Sequence, residues 1–261
     1  MAPVSEPLFV DTAHFVAKKL EVGVSLAHDV DWETRERMLD EGQVDVGWIC
    51  GLPYILKADL PAPTVELLAA PVMIGERYGG APVYFSDVMV REDSPYHSFE
   101  HLRGARWAIN EPLSHSGCNV VRSHLFDLGE LSGYFGSIHA AGSHERAIEL
   151  LIDGQIDAAA IDTTVYEIVI RAQPNISTLL RTIDTLGPSP IPPWVISTKV
   201  DPSLHKQVQE ILLRMHAEPD GRRILDQHGC SHYTLVDDHF YDPIRSMDQK
   251  ARQVDFDIDS P

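Results

Sequence analysis

The sequence is poor in cysteine. Cys50, Cys118 and Cys230 are the three cysteines among 261 residues, and no pair has C-x-x-C spacing. A disulfide framework is excluded because at most one bridge could form, so we expect three free, mostly buried thiols. The run from His228 to His232 fits no common zinc pattern and lacks a second half, so it indicates a helix-terminating turn. We therefore expect neither a metal nor a cofactor.

Basic residues are also scarce. Lys and Arg number 21 against 39 Asp and Glu, which gives a formal net charge of −18. This charge excludes nucleic acid and anionic membrane surfaces as partners. The overall field would not attract an anionic ligand, so an anion site here must depend on local hydrogen bonds and helix ends.

Long hydrophobic runs are missing. None approaches the ~20 residues that a membrane span needs, so direct membrane insertion is not expected. Residues 1–7 contain no basic n-region and no continuous apolar h-region. As written, the chain has no export signal, which favours a cytoplasmic protein if Met1 is the true start.

Signatures of catalysis are weak. The sequence has no G-x-S-x-G nucleophile elbow. The run Ser114-His115-Ser116 presents no evident nucleophile with its base, and the paired carboxylates Asp237 and Asp238 lie in a polar segment that we expect to be exposed. We therefore expect no enzymatic activity.

Apolar residues are plentiful, at 44% of the chain, which is enough for one large domain or two lobes. Strand-like and helical patterns alternate throughout, which predicts an α/β fold with mostly parallel sheets flanked by helices. The predicted strands are 20–26, 44–49, 65–71, 83–91, 105–109, 137–140, 156–161, 178–185 and 194–197. The predicted helices are 10–20, 32–41, one from about Tyr54, 98–102, 116–128, 144–153, 163–172, 202–217 and 219–228. The Pro-rich residues 186–193 are expected to be irregular, and the last twenty residues to fray.

Two stretches of the chain resemble each other. Residues 41–46 and 153–158 each contain a helix end, then a glycine, then the start of an alternating strand that opens with Asp. The repeat indicates two similar lobes. Ligands of open α/β sheets bind at the carboxyl ends of strands, so the loops after these two strands are expected to face each other across a cleft.

The most informative stretch is 110–119, between a predicted strand and a predicted helix. Ser114 and Ser116 place hydroxyl groups beside the free N–H groups of the first helical turn, which together suit a small oxyanion. His144 begins another helix about thirty residues later, and Asp162 ends a strand. The alternative that Ser114 and Asp162 simply cap helices stays open, as does a surface capping role for His144 and simple packing for Tyr54.

Eight segments, in order, resemble the substrate-binding proteins of phosphonate, phosphite and phosphate ABC transporters, the PhnD-like group of type 2 periplasmic binding proteins. The similarity runs from about residue 1 to residue 245. The segments are 42–48, 52–54, 84–86, 114–117, 142–145, 157–162, 193–195 and 237–243.

The resemblance implies a two-lobed solute-binding component of an importer, which closes over a small oxyanion. It implies an outer lobe of residues 1–85 and 190–261, an inner lobe of 90–185, and two hinge strands near 83–91 and 178–193. The implied partners are the membrane subunits of an ABC permease, the implied compartment is periplasmic, and we expect a monomer. The family also begins with an apolar strand that has no counterpart before Met1.

The resemblance also assigns ligand-binding roles. The oxyanion would be held by hydroxyl groups, an imidazole and a phenol, an acid would contact a protonated ligand oxygen or an amine, and an aromatic ring would cover the ligand. These roles fall on Ser114, Ser116, His144, Tyr54, Asp162, and Tyr84 or Phe85.

One residue departs from the family pattern. His115 replaces the Thr of the family's hydroxyl run, and together with Ser114 and Ser116 it is expected to be a ligand of the anion. An imidazole there is larger and can be cationic, so it could shrink the cavity, admit a more negative ligand or change the ligand class. A binding protein for another organic acid, or a cytosolic sensor or enzyme on the same fold, therefore remains an alternative.

Overall fold

The computed structural model describes residues 3–27 and 30–258. The α-helices of these residues are α1 (Glu6–Leu20), α2 (Trp32–Asp40), α3 (Gly51–Ala58), α4 (Val120–Asp127), α5 (His144–Ile152), α6 (Thr163–Ala172), α7 (Pro202–Arg214), α8 (Pro219–Gln227) and α9 (Asp242–Ala251). The strands are β1 (Val46–Trp48), β2 (Val65–Met73), β3 (Val83–Arg91), β4 (Arg106–Ile109), β5 (Ser137–Ala140), β6 (Ala158–Asp162), β7 (Leu180–Pro190), β8 (Trp194–Ser197) and β9 (Cys230–Thr234).

Helix starts follow the local sequence. The Asp31 carboxylate precedes α2 and accepts a hydrogen bond from the Thr34 amide at 2.8 Å. The Ser143 hydroxyl precedes α5 and accepts from the Arg146 amide at 3.0 Å. Both side chains satisfy an amide that lacks a partner within its own helix.

The chain divides into two compact units. Unit 1 comprises residues 5–83 and 190–242, and unit 2 comprises 84–189 together with 3–4 and 243–258 among the described residues. Among the described residues, the main chain passes between them after Val4, after Val83, after Ser189 and after Asp242. The assignment of all of 190–261 to the first lobe therefore needs a correction for the residues after Asp242.

Residues 242–258 are folded, whereas the sequence indicated fraying of the last twenty residues, of which 259–261 lie outside the described residues. They include α9, in which Ile244 and Ala251 are fully buried, and Val254 joins the core of unit 2. The guanidinium of Arg122 donates to the Val254 carbonyl at 2.9 Å. A few apolar side chains at helical spacing are enough to dock an otherwise polar segment.

Unit 1 contains a four-stranded sheet with the order β1-β8-β2-β9. Its pairs β1–β8, β2–β8 and β2–β9 are all antiparallel, so the prediction of mostly parallel sheets is wrong for this unit. The reason is that β8, which comes from the return passage of the chain, lies between β1 and β2. Neighbouring strands therefore do not belong to one β-α-β unit.

The predicted strand 20–26 does not form. Helix α1 continues to Leu20, Glu21 adopts a left-handed conformation with φ 55°, and residues 22–27 have no regular structure. Val22 and Val24, whose alternation suggested the strand, are 56% and 38% exposed. Alternation predicts a strand only where one face is buried against something.

Unit 2 contains a five-stranded sheet with the order β5-β4-β6-β3-β7. Strands β5, β4 and β6 are parallel, and β3 runs antiparallel to β6. Strand β7 continues to Pro190, so it includes the first part of the Pro-rich segment 186–193, for which the sequence predicted irregular structure. Its prolines are tolerated because β7 is the edge strand of this sheet.

Apolar side chains cover both faces of the sheet in unit 2. Along β4, Trp107 and Ile109 belong to one buried cluster and Ala108 to another, as the alternation of a strand requires. Because β4, β5 and β6 are parallel, their carboxyl ends lie at the same edge. The chain leaves that edge towards α4, α5 and α6, so the beginnings of three helices come together there.

The cysteines, the helices and the potential metal ligands of the described residues bear on three of the expectations. The thiols are free, with Cys118 and Cys230 buried and Cys50 partly so, which confirms the prediction. None of the described helices has both the length and the apolar character that a membrane crossing requires. The same residues contain no group of three or more His, Cys, Asp or Glu suited to a metal ion.

Candidate functional site

The connection from β4 to α4 forms the centre of the candidate site. It contains a π-helical turn, His115–Asn119, that continues into α4. The Ser114 hydroxyl accepts from the Gly117 amide at 3.1 Å, so Ser114 caps the turn as the alternative reading held. A side chain at Gly117 would not fit, because its Cβ would lie 2.0 Å from Oδ1 of Asn110.

Three of the predicted donors come together here. The Ser116 hydroxyl lies 2.8 Å from Nε2 of His144, and 3.4 Å from the hydroxyl of Ser114. All three side chains are buried, with exposures of 3–5%. Ser114 and Ser116 follow β4 and His144 follows β5, so the parallel pairing of these strands explains how residues far apart in sequence meet.

The Ser116–His144 pair can always donate one hydrogen bond to a further group. A hydroxyl and a neutral imidazole carry two polar hydrogens, and their mutual bond uses one of them. The remaining hydrogen lies either on Ser116 or on Nδ1 of His144. In the described part of the chain, that Nδ1 is buried and has no hydrogen-bond partner.

The imidazole of His144 is uncharged near neutral pH. Burial lowers its pKa to about 3, because the cationic form would lose its hydration. The hydrogen bonds described between Ser114, Ser116, Gly117 and His144 involve no Lys or Arg.

His115 faces different partners. Its Nδ1 accepts from the Asn119 amide group at 3.1 Å, and its Nε2 therefore carries the hydrogen and donates to the Ser189 hydroxyl at 2.9 Å. The ring is fully buried, which lowers its pKa to about 3. The expectation that His115 can be cationic is therefore wrong near neutral pH. The ring centroid of Tyr84 lies 6.4 Å away, and Tyr84 is itself fully buried.

Asn119 and Ser189 were not anticipated from the sequence. Asn119 stands four residues after His115, a spacing that places two side chains on the same side of a helical turn, so a signal was present. Ser189 carried no such signal, because it lies in the Pro-rich segment that was expected to be irregular.

Asp162 ends β6, which packs against the π-helical turn. Its Oδ1 accepts from the amide of Thr164 at 2.8 Å and from its hydroxyl at 2.7 Å, so the capping alternative describes a contact that the structure contains. Burial raises the pKa of this carboxyl to about 6, although the bonds from Thr164 oppose the shift. Asp162 is therefore poised between its two protonation states near neutral pH.

Tyr54 belongs to unit 1. Its hydroxyl donates to the Asp238 carboxylate at 2.6 Å, and its ring lies 4.6 Å from that of Tyr241. Tyr54 is 3% exposed. These contacts agree with the packing alternative, and its role as a ligand remains a prediction.

A separate cavity of about 420 Å³ opens in unit 2. It is lined by residues of 130–138 and 254–257 together with Leu125, and it includes none of the candidate residues. Its acidic side chains are Glu130, Asp255 and Asp257, and most of its other lining side chains are apolar or aromatic, which suits a small anion poorly. We assign no ligand to it.

Three solved structures are similar to this chain in fold. The binding component of an ABC phosphonate transporter from Pseudomonas aeruginosa is 21% identical, with a TM-score of 0.80, covering 96% of this chain and 82% of that one. PhnD1 from Prochlorococcus marinus, in complex with methylphosphonate, is 19% identical, with a TM-score of 0.81 and coverages of 96% and 94%. XAC2383 from Xanthomonas citri, bound to ATP, is 17% identical, with a TM-score of 0.72 and coverages of 96% and 93%. At these identities the similarity shows the fold, which is that of periplasmic binding proteins.

The family follows from a comparison of sequence. The model of the family described as "ABC transporter, phosphonate, periplasmic substrate-binding protein" matches residues 4–241. The chain belongs to this family, the substrate-binding component of an ABC importer. The predicted resemblance and the predicted α/β binding-protein fold are thereby confirmed.

Proposed function

We propose that this chain binds a small tetrahedral phosphorus oxyanion, such as a phosphonate, phosphite or phosphate, through Ser114, Ser116 and His144. The observation that carries this proposal is the buried Ser116–His144 pair at 2.8 Å, which retains one hydrogen for a further acceptor. The capping hydroxyl of Ser114 stands 3.4 Å from it. Family membership supplies the ligand class.

Neutral donors suit this task in a chain of net charge −18. A buried cation would have to be stripped of water before it met the ligand, whereas hydroxyl and imidazole groups carry little desolvation cost. Hydrogen bonds from such groups to an anion are charge-assisted and contribute about 1.5–3 kcal/mol each. A few of them, with turn amides, sustain micromolar or tighter binding.

Asp162 gives the proposed site its selectivity. A carboxylate beside an anion is favourable only where the ligand presents a P–O–H group or an amine. Its raised pKa, about 6, also allows the carboxyl to hold a proton itself when a more negative ligand is bound. Tyr84 or Phe85 is proposed to cover the ligand, and His115 and Tyr54 are proposed as further residues of the site.

The proposed role in the cell is capture and delivery, without chemical turnover. The bound form would be recognised by the membrane subunits of an ABC permease, as the family implies. We propose that the chain acts as a monomer outside the cytoplasmic membrane. A binding protein of this kind returns its ligand unchanged, so prolonged incubation with a phosphonate ester should release no product.

Isothermal titration calorimetry tests the ligand and the residues together. Methylphosphonate, phosphite and inorganic phosphate are titrated beside a sulfonate and simple carboxylates. Ser116→Ala and His144→Ala are expected to weaken phosphorus oxyanion binding at least tenfold, because each removes one bond of about 1.5–3 kcal/mol. Ser123→Ala is the matched control, because Ser123 is also a buried serine but lies in α4, outside the proposed site. This variant should bind like the wild type.

Two results would contradict the proposal. Unchanged affinity in both site variants would remove Ser116 and His144 from the site. Tight binding of a carboxylate, with none of the phosphorus oxyanions, would favour the alternative of an organic-acid-binding protein.

A further inference from the structure

Two ends of one chain stretch meet at His115. The main stretch of unit 2 begins at Tyr84 and ends at Ser189, and the chain passes to unit 1 beyond each of them. The Ser189 hydroxyl accepts from Nε2 of His115, and the Tyr84 ring lies 6.4 Å from the imidazole at an interplanar angle of 60°. The first and the last residue of this stretch, Tyr84 and Ser189, therefore both lie against the side chain of His115.

The imidazole is held in one orientation. Asn119, from the end of the same π-helical turn, donates to Nδ1, while Ser189 accepts from Nε2. The ring is fully buried, so rotation about its side-chain bonds would break both hydrogen bonds without compensation from water. A threonine hydroxyl can donate one hydrogen bond and accept others, but it is bonded directly to Cβ and would not extend as far as Nε2 of the imidazole does.

The backbone of His115 lies within the candidate site. Its neighbours along the chain are Ser114 and Ser116, whose hydroxyl groups are the proposed donors to the oxyanion. A displacement of the turn on ligand binding therefore displaces the imidazole, and with it the hydrogen bond to Ser189.

We propose that His115 is a positioning residue that couples the oxyanion-binding turn to two of the chain passages between the units, those next to Tyr84 and Ser189. The coupling acts through its hydrogen bond to Ser189 and its ring contact with Tyr84. This inference rests on the proposed function. It assigns to His115 a task in addition to its proposed place in the site, and it extends the functional unit to Ser189, which is not among the proposed ligand residues.

Ser189→Ala tests the coupling. The variant removes one hydroxyl from β7 and leaves Ser114, Ser116 and His144 intact. We expect methylphosphonate and phosphate to bind at least fivefold more weakly in calorimetry, since the turn loses its support. Ser123→Ala, an equally conservative change of a buried serine, serves as the control for stability and for affinity.

A spectroscopic measurement separates coupling from a purely structural effect. Long-range ¹H–¹⁵N spectra of the wild type are expected to show His115 as the Nε2–H tautomer, and saturating methylphosphonate is expected to shift its ring signals. In Ser189→Ala these signals should differ already in the free protein. Should this variant fail to fold, the ligand-induced shift in the wild type decides the question.

The outcomes are distinguishable. If the wild type binds neither methylphosphonate nor phosphate, the proposed function fails, and the coupling fails with it. If the wild type binds them but Ser189→Ala binds equally well, or the His115 signals do not move, only the coupling is overturned.

Discussion

At the scale of single residues, the buried carboxyl of Asp162 makes the stability of the fold depend on pH. The carboxyl caps α6 through Thr164, and burial raises its pKa to about 6. In the unfolded chain an aspartate has a pKa of about 3.9. Because the pKa is higher in the folded state, protonation of Asp162 stabilises the native protein relative to the unfolded chain. This contribution to the free energy of unfolding is present below pH ~4 and is lost as the pH rises through ~6.

The Asp162→Asn variant tests this sign. Asparagine caps helices as well as aspartate and cannot ionise. Relative to the wild type, the variant is expected to gain up to about 3 kcal/mol in free energy of unfolding between pH 4 and pH 7.5, the value of two pKa units. Urea unfolding followed by circular dichroism at both pH values measures the change. A difference between the two proteins that does not vary with pH would contradict the assignment.

At the scale of elements, the π-helical turn depends on the absence of a side chain at Gly117. The Asn110 side chain, from the end of β4, occupies the space in which a Cβ would lie. The amide of Gly117 also donates to Ser114. The glycine therefore allows the strand end and the helix start to approach closely enough to set the two serine hydroxyls.

The Gly117→Ala variant should damage this turn. A Cβ 2.0 Å from Oδ1 of Asn110 forces one of the two segments to shift. We expect a loss of about 1–3 kcal/mol in stability, typical of overpacking, and at least tenfold weaker binding of methylphosphonate. Gly23→Ala, where no atom lies within 4 Å of the added Cβ, is the control. Wild-type affinity in Gly117→Ala would show that the turn is not part of the site.

Elements with a strong periodic pattern could be predicted from the sequence. The bounds of β3, β5, α6 and β8 match the predicted ranges. The predictions failed for elements whose conformation depends on contacts with distant parts of the chain. The alternation of Val22 and Val24 is not buried, α9 depends on a few apolar contacts with unit 2, and strand direction in unit 1 depends on where the returning β8 inserts.

The candidate site could likewise be predicted only in part from the sequence. Consecutive β-α units predict that the beginnings of α4 and α5 meet, and Ser116 and His144 do lie within hydrogen-bonding distance. The sequence could not reveal that His115 bonds to Ser189, because this contact joins residues 74 positions apart. Nor does a sequence show that burial keeps both imidazoles neutral.

At the scale of the whole molecule, the family resemblance predicts that ligand binding closes the protein. A ligand shifts such an equilibrium only by its differential affinity for the two states. We expect saturating methylphosphonate to reduce the radius of gyration measured by small-angle X-ray scattering, with the scattering mass remaining that of a monomer. Ser116→Ala at the same ligand concentration should show a smaller change. An unchanged radius in a wild-type sample known from calorimetry to be saturated would contradict closure.

A crystal structure of the protein with methylphosphonate tests most directly whether uncharged donors from two helix starts hold the anion. We expect phosphonate oxygens within about 2.5–3.2 Å of the Ser116 hydroxyl and of its partner His144 or the neighbouring Ser114. A phosphonate group bound elsewhere, with Lys or Arg as its main partners and the Ser116–His144 pair undisturbed, would contradict this expectation.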